Sequence, residues 1–298
     1  MKTKKPTVTI GIPAYNEEAN IYRLLTCLIH QSEKGIEILK IIVVNDGSDD
    51  DTMGEIKKAH DKRILSINNS SRKGQVFCQN KIFTLADTDV VVLFEADTCP
   101  ATHTYLHELI KPLRDDSAIG LVQGLPRPVP AKTFTEKVLN TQVDVYQSFV
   151  DSNSNSPGQG GRAFARSVYT HLRWPKVLLE DMYAIIWCKQ RGINTRLQVA
   201  AVCMHRSPQN FSDYLMKQQK LVSGLSGLSR LLSYKSVNAI NNNSIKDGVK
   251  VRMAFNFLVT HPIYFFAYAL FKIRLSRELK KTQFTNFWLI ARSTKNLV

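Results

Sequence analysis

The chain alternates short apolar, β-branched runs with stretches in which apolar side chains recur every three or four positions. Residues 7–13 (TVTIGIP) read as a strand and the polar Tyr15, Asn16, Glu17 and Glu18 as a loop. Ile21, Leu24, Leu25, Leu28 and Ile29 then mark the buried face of a helix. The unit returns: residues 38–44 form an apolar strand, 46–52 an acidic turn and 52–60 a helix, then 64–67 a third strand and 74–85 a helix. Residues 89–94 (DVVVLF) are continuously apolar, which suits the centre of a sheet covered on both faces. This alternation predicts an α/β fold: a Rossmann-like, mostly parallel sheet flanked by helices. Such sheets bind ligands beyond the carboxyl ends of their strands, where Tyr15, Asp46 and Asp97 fall.

After Gly120 the pattern loosens. Pro126, Pro128 and Pro130 interrupt it, 132–150 reads as a helix, and 151–161 (DSNSNSPGQGG) as a polar loop. A helix over 179–190 carries Glu180 and Asp181 in its first turn and stops at Gly192. We expect a catalytic unit over 1–210 and a basic helical region over 211–298. In the latter, the nineteen residues 253–271 carry no charge. As one helix they would reach about 28 Å, close to the hydrocarbon thickness of a bilayer. Asn256, Thr260, His261 and Pro262 interrupt the run, and Lys250, Arg252, Lys272 and Arg274 flank both ends. A single crossing would therefore send one basic flank to the wrong side. A re-entrant or interfacial helix pair on an anionic membrane, at its cytoplasmic face, is the expectation; a buried helix of a soluble cytoplasmic protein is the alternative.

Composition narrows the class. With 298 residues, 44% hydrophobic and 22% charged, the chain is neither a disordered tail, a collagen-like repeat nor a disulfide miniprotein. Residues 1–150 hold 18 basic and 19 acidic side chains and the remainder 22 and 6, so the net charge of +15 sits in the second half. Five scattered cysteines without a CxxC pair read as reduced thiols of a cytosolic environment. Lys2, Lys4 and Lys5 precede an apolar run too short for a signal peptide, so no secretory leader is expected. A basic half also raises nucleic-acid binding. Against it, the half has no zinc-ligand spacing, aromatic RNA-binding motif or helix-turn-helix.

Four spots can carry chemistry. Asp46-Gly47-Ser48 follows a buried strand, so its carboxylate can accept hydrogen bonds from a base or ribose; capping the next helix explains Asp49 to Asp51 but does not require Asp46. Glu95-Ala96-Asp97 ends a strand, where carboxylates at i and i+2 point the same way and can hold one divalent ion. Arg72-Lys73-Gly74 precedes a helix and offers cations and free N–H groups to a diphosphate. Glu180-Asp181 opens a helix, where complementing the helix dipole is the ordinary explanation. His205 is a further candidate metal or diphosphate contact, although a lone His beside Arg206 is structural by default.

In this order, Pro13-Ala14-Tyr15-Asn16-Glu17, Asn45-Asp46-Gly47-Ser48, Lys73-Gly74, Glu95-Ala96-Asp97 and Glu180-Asp181 resemble the motifs of family-two glycosyltransferases, over about residues 6–224. The resemblance implies a GT-A fold and a nucleoside-diphosphate sugar donor, held by Pro13, Ala14, Tyr15, Glu17, Asp46, Lys73, Glu95 and Ala96. It also implies Mg²⁺ or Mn²⁺ on Asp97 and a general base at Asp181. The chain departs from the pattern twice. Glu95 replaces the first Asp of the DxD motif, and Lys217, Lys220 and Leu221 stand where processive relatives carry QxxRW. The expectation is an inverting, metal-dependent, non-processive enzyme with a hydroxyl acceptor, lipid-linked or membrane-proximal. Residues 151–161 with Arg162 and Arg166 would line the acceptor side. A polyprenyl-phosphate acceptor, and a non-catalytic basic membrane- or nucleic-acid-binding protein, are the alternatives.

Overall fold

The computed structural model describes residues 5–151, 160–232, 237, 247–281, 292–295 and 297. An eight-stranded sheet forms its centre. Strands β1 (Thr7–Ala14), β2 (Glu37–Asn45), β3 (Ile64–Asn68) and β4 (Val90–Leu93) pair in parallel in the order β3-β2-β1-β4. The sheet continues through β7 (Arg162–Ala165), β6 (Ile119–Pro128), β8 (Asn194–His205) and β5 (Thr98–Pro100). β7 runs antiparallel to both β4 and β6, β6 and β8 are parallel, and β5 is antiparallel to β8. The expected mixed, mostly parallel α/β sheet is thus observed.

Its two faces are covered differently. On one, Val8, Ile10 and Ile12 of β1 meet Ile21, Leu24, Leu25 and Leu28 of α1 (Ile21–Ile29), all within 1% of full burial. Each such side chain stabilises the fold by about 1.5–3 kcal/mol. On the other, α3 (Gln75–Leu85) approaches β1 so closely that a Cβ on Gly11 would lie 2.4 Å from Ile82 Cγ2. Phe83 of α3 anchors an aromatic cluster there, with ring centroids 5.1 Å from Phe164 and 4.8 Å from Trp174. On the α1 side also lie α2 (Thr52–Lys57), which ends short of residue 60, where His60 turns to φ +39°, and α4 (Tyr105–Asp115).

The second half adds α5 (Phe134–Gln147), α6 (Arg166–Tyr169), α7 (Glu180–Lys189) and α8 (Phe211–Leu231). α5 starts at a capping box between Thr133 and Glu136. Glu136 also pairs with Arg206 at 2.6 Å, both fully buried, tying α5 to the end of β8. The uncharged stretch is two helices, α9 (Asp247–Thr260) and α10 (Pro262–Lys281), because Pro262 cannot continue the ladder and begins a new helix instead. No helix among the described residues is long and apolar enough to cross a membrane. The inner side of this hairpin packs through Phe257, Tyr268, Phe271 and Leu275, with Phe271 5.7 Å from Phe211 of α8. Its outer side does not pack: Val251, Phe255, Val259, Ile263, Phe266, Leu270 and Ile273 are 51–74% exposed. Their spacing places them on one stripe of each helix.

Candidate functional site

The loop after β1 is held from below. Pro13 and Ala14 lie opposite Val44 and Asn45 of β2, and the Ala14 carbonyl accepts from Asp46 N–H at 2.8 Å. Asn16 sits at φ +54°, its N–H donating to Ser48 Oγ at 2.9 Å, and Glu17 N–H donates to Thr52 Oγ1 at 2.8 Å. The Tyr15 ring stacks 4.1 Å from the Arg72 guanidinium. Glu17 is buried, and burial outweighs its cationic neighbour Lys295, raising its carboxyl above the ordinary range.

Asp46 is buried at the end of β2, and its carboxylate is already engaged. Oδ1 accepts from Asn69 Nδ2 at 2.9 Å and from Lys73 N–H at 2.8 Å, and Oδ2 from Gly74 N–H at 2.7 Å. The N–H groups expected to be free for a diphosphate are therefore taken by Asp46, which fixes the turn into α3. Gly74, at φ +98°, is required for that turn. Of the four lone-pair sites of the carboxylate, three are filled by the protein.

β4 stops at Leu93, so Glu95, Ala96 and Asp97 form the turn into β5. The strand alternation that would aim Glu95 and Asp97 the same way does not apply, because a turn and not a strand carries them. Ala96 is buried. Asp97 is pushed up to about 6 by burial, then by the Glu17 charge, with Lys295 and Lys217 opposing. Glu95 rises for the same first reason, then through Asp97.

Across the rim, α7 begins with Glu180 and Asp181. Glu180 is buried and bound to Gln75 Nε2 at 2.8 Å, with the Arg162 guanidinium 3.6 Å away. Its carboxyl is raised by burial, against the pull of Arg162 and Lys220. Asp181 is less enclosed: its Oδ1 accepts Met182 N–H at 2.7 Å, and it lines a cavity of about 370 Å³. Glu95, His205, Lys217 and Lys220 share that cavity. Apolar side chains also line it: Leu125, Val143, Val150, Leu179 and Leu221, with the Tyr146 ring.

His205 ends β8 opposite Thr98, one residue from Asp97. It is buried, its Nδ1 has no hydrogen-bond partner, and burial followed by the Lys217 charge pushes it down to about 3. A neutral imidazole with an unused nitrogen in a polar cavity is the state a metal ligand requires.

Of the two arginines expected on the acceptor side, Arg162 lies at the strand-end rim, engaged by Glu180, and Arg166 lies away from it. Arg162 is buried beside Glu180, and Arg166 sits at the opposite end of β7, donating to the Asp87 carbonyl at 2.7 Å. Of the loop 151–161, residues 152–159 lie outside the described part. Lys217 and Lys220 lie beyond the boundary expected near 210, where the sequence marks them only as a departure from QxxRW. Their i, i+3 spacing on α8 was the available signal that both face one way. Burial lowers Lys217, with the Glu95 and Asp97 charges opposing that shift.

Acids and lysines gathered beyond the strand ends of a mixed α/β sheet form the kind of site where such folds bind ligands. The chain belongs to the Glycosyl transferase family 2, whose family model matches residues 9–171. It is 26% identical over 234 residues to the probable glycosyltransferase YdaM of Bacillus subtilis, an alignment covering 74% of this chain and 55% of that protein. Over 90 residues it is 34% identical to WfaP of Escherichia coli, a UDP-Glc:alpha-D-GlcNAc-diphosphoundecaprenol beta-1,3-glucosyltransferase, covering 30% of this chain and 35% of that one. The chain thus spans about half the length, or less, of these relatives. Its fold is similar to that of the mannosyltransferase PcManGT of Pyrobaculum calidifontis, solved with GDP-Man and Mn²⁺. The TM-score is 0.65 at 18% identity, covering 94% of this chain and 87% of that one. Glucosyl-3-phosphoglycerate synthase of Mycobacterium tuberculosis, solved with Mn²⁺ and UDP-glucose, matches with a TM-score of 0.52 at 20% identity, covering 76% and 79%. The GT-A architecture expected from the motifs is the one observed.

Proposed function

We propose that the protein is an inverting, metal-dependent, non-processive glycosyltransferase that moves a sugar from a nucleoside-diphosphate donor to a hydroxyl of a lipid-linked acceptor. The observation that carries this reading is the single cavity joining Asp181, Glu95, His205, Lys217 and Lys220 with an apolar lining. The loop around Tyr15 and the Arg72 stack receives the nucleotide, and Asp46 holds that rim in shape. Asp181 takes the acceptor proton as the hydroxyl oxygen attacks the anomeric carbon. The bond from that carbon to the diphosphate breaks on the opposite face, so the configuration inverts. The departing electron pair goes to the diphosphate, whose growing charge Lys217 and Lys220 neutralise.

The residues present fit a divalent ion: the orphaned Nδ1 of His205 lies one strand from Asp97, and Glu95 shares the cavity. Among the described residues no group of three or more His, Cys, Asp or Glu side chains is placed to hold a metal ion, so the protein would supply one or two ligands and donor phosphate oxygens the rest. When bound, the ion supplies Lewis-acid stabilisation of the diphosphate.

The hairpin supports a membrane-bound setting. The helices of the exposed apolar stripe also carry Lys250, Arg252, Lys272, Arg274, Arg277, Lys280 and Lys281, the pairing of chemistries that an anionic bilayer surface receives. A groove lined by Phe149, Val251, Phe255 and Val259 with Arg252, Asn256 and Thr260 lies near α5, whose Val143 and Tyr146 line the catalytic cavity. That lining suits a lipid chain, and the E. coli relative acts on a diphosphoundecaprenol-linked sugar.

The two lysines in the cavity also suit a second reading, a polyprenyl-phosphate acceptor that arrives already ionised. Asp181→Asn separates the two. Nucleoside-diphosphate release, measured with Mn²⁺ on vesicles containing lipid extract, should fall by roughly 10²–10⁴-fold for a hydroxyl acceptor. Turnover close to the parent would assign the phosphate acceptor instead.

A further inference from the structure

Residues 292–295 form a 3₁₀ turn that packs on the loop after β1, some 280 positions earlier in the chain. Two anchors hold this segment. Leu297 is buried in a small apolar cluster with Cys99 and Val129, its carbonyl accepting from Arg206 Nη2 at 3.1 Å. Asn20 grips it on both sides, donating to the Lys295 carbonyl and accepting from Leu297 N–H at 3.3 Å. Between the anchors, Lys295 Nζ donates to the Tyr15 carbonyl at 2.6 Å, the Asn16 carbonyl at 2.8 Å and Glu17 Oε1 at 2.6 Å.

An ammonium has three donors, and here all three serve one loop. Without the cation, two carbonyls and a buried carboxylate would converge with nothing between them, on a backbone already turned to φ +54° at Asn16. The same loop presents the Tyr15 ring to Arg72. We propose that Lys295 is the positioning residue of the donor loop: it locks Tyr15–Glu17 in the shape that receives the nucleoside diphosphate, so the region beyond α10 belongs functionally to the donor site. The inference rests on the donor-site reading above.

Calorimetric titration of the full chain with UDP and with GDP, in the presence of Mn²⁺, tests it. Lys295→Met should weaken the nucleotide that the parent binds by about tenfold or more, the scale for losing charge-assisted hydrogen bonds. Lys295→Arg should recover most of that loss. In turnover, the donor KM should rise while kcat stays within about twofold. Combining Lys295→Met with Glu17→Gln should cost less than the sum of the two separate losses. Unchanged affinity in Lys295→Met would overturn the proposal. So would tighter binding, which would make the segment a competitor of the nucleotide, or a loss of affinity matched by a fall in melting temperature that Lys295→Arg does not rescue. Asp46→Ala distinguishes the two levels of failure. If it weakens nucleotide binding and Lys295→Met does not, the role of Lys295 fails alone. If Asp46→Ala is silent, or neither nucleotide binds the parent, the donor-site reading fails and carries the Lys295 proposal down with it.

Discussion

The strand-end rim and the α9–α10 hairpin solve opposite problems. At the rim, polar groups are enclosed and bound to one another: Asp46 to the Lys73–Gly74 backbone, Glu180 to Gln75 and Arg162, Glu17 to Asn20 and Lys295. On the hairpin, large apolar side chains are left exposed: Val251, Phe255, Val259, Ile263, Phe266, Leu270 and Ile273. The first region is preorganised, so a ligand enters finished geometry with little reorganisation left to occur. The second keeps an apolar surface that water penalises and a bilayer would cover. Two kinds of group at the rim stand out. One is His205, whose buried Nδ1, like Nη1 of Arg162, has no hydrogen-bond partner among the described residues; the other is the lysine pair lining the acid cavity. Those are the groups to which we assign chemistry.

The contrast can be broken most severely at the lysines. Replacing Lys217 and Lys220 together by Met should lower kcat by roughly 10²–10³-fold, the scale for losing groups aimed at developing charge, with circular dichroism unchanged. An effect confined to KM would show that they bind the ground state equally well. Next in size, Asp97→Ala should leave nucleoside-diphosphate binding insensitive to Mn²⁺, which the parent should bind more tightly in its presence; paired titrations with and without metal measure this. His205→Ala should give a smaller loss of the same kind.

On the hairpin, Phe255→Glu with Phe266→Glu should reduce partitioning onto phosphatidylglycerol vesicles by roughly tenfold or more, since each ring withdraws apolar area from water. Both rings are exposed, so melting should be unaffected. Partitioning that falls with salt but ignores these substitutions would reduce the interaction to charge alone.

The smallest effect concerns pH. The folded-state value of Asp97 lies at about 6 against an ordinary 3.8, so the folded chain binds this proton more tightly than the unfolded one. Through this group, stability should therefore be greatest in acid and fall as pH rises from about 4 to about 6, then level off. Asp97→Asn should flatten that part of the curve of urea midpoints against pH.

Much of this was legible in the residues. Strands β1 and β4 and the second half of β2 could be read because they are buried on both faces and written as apolar runs, the half-exposed edge strand β3 from its place in the alternation, and α1 because one face alone is apolar. The break at Pro262 followed from its missing N–H. What the residues could not convey is which polar groups satisfy each other. Nothing near Asp46 in sequence says that its carboxylate is spent on the backbone of residues 73 and 74, or that Arg162 is sunk beside Glu180. Glu95 and Asp97 seemed to share a strand because the apolar run reaches Phe94, but pairing ends at Leu93. Lys295 gave no signal at all, since its partners lie at the other end of the chain.

One experiment bears on the whole account: nucleoside-diphosphate release from a panel of UDP- and GDP-sugars, with and without Mn²⁺, on anionic vesicles with and without lipid extract. We predict release from one donor that needs both the metal and the extract. Release that persists without either, or none from any donor under all four conditions, would contradict a metal-assisted transferase working on a membrane-borne acceptor.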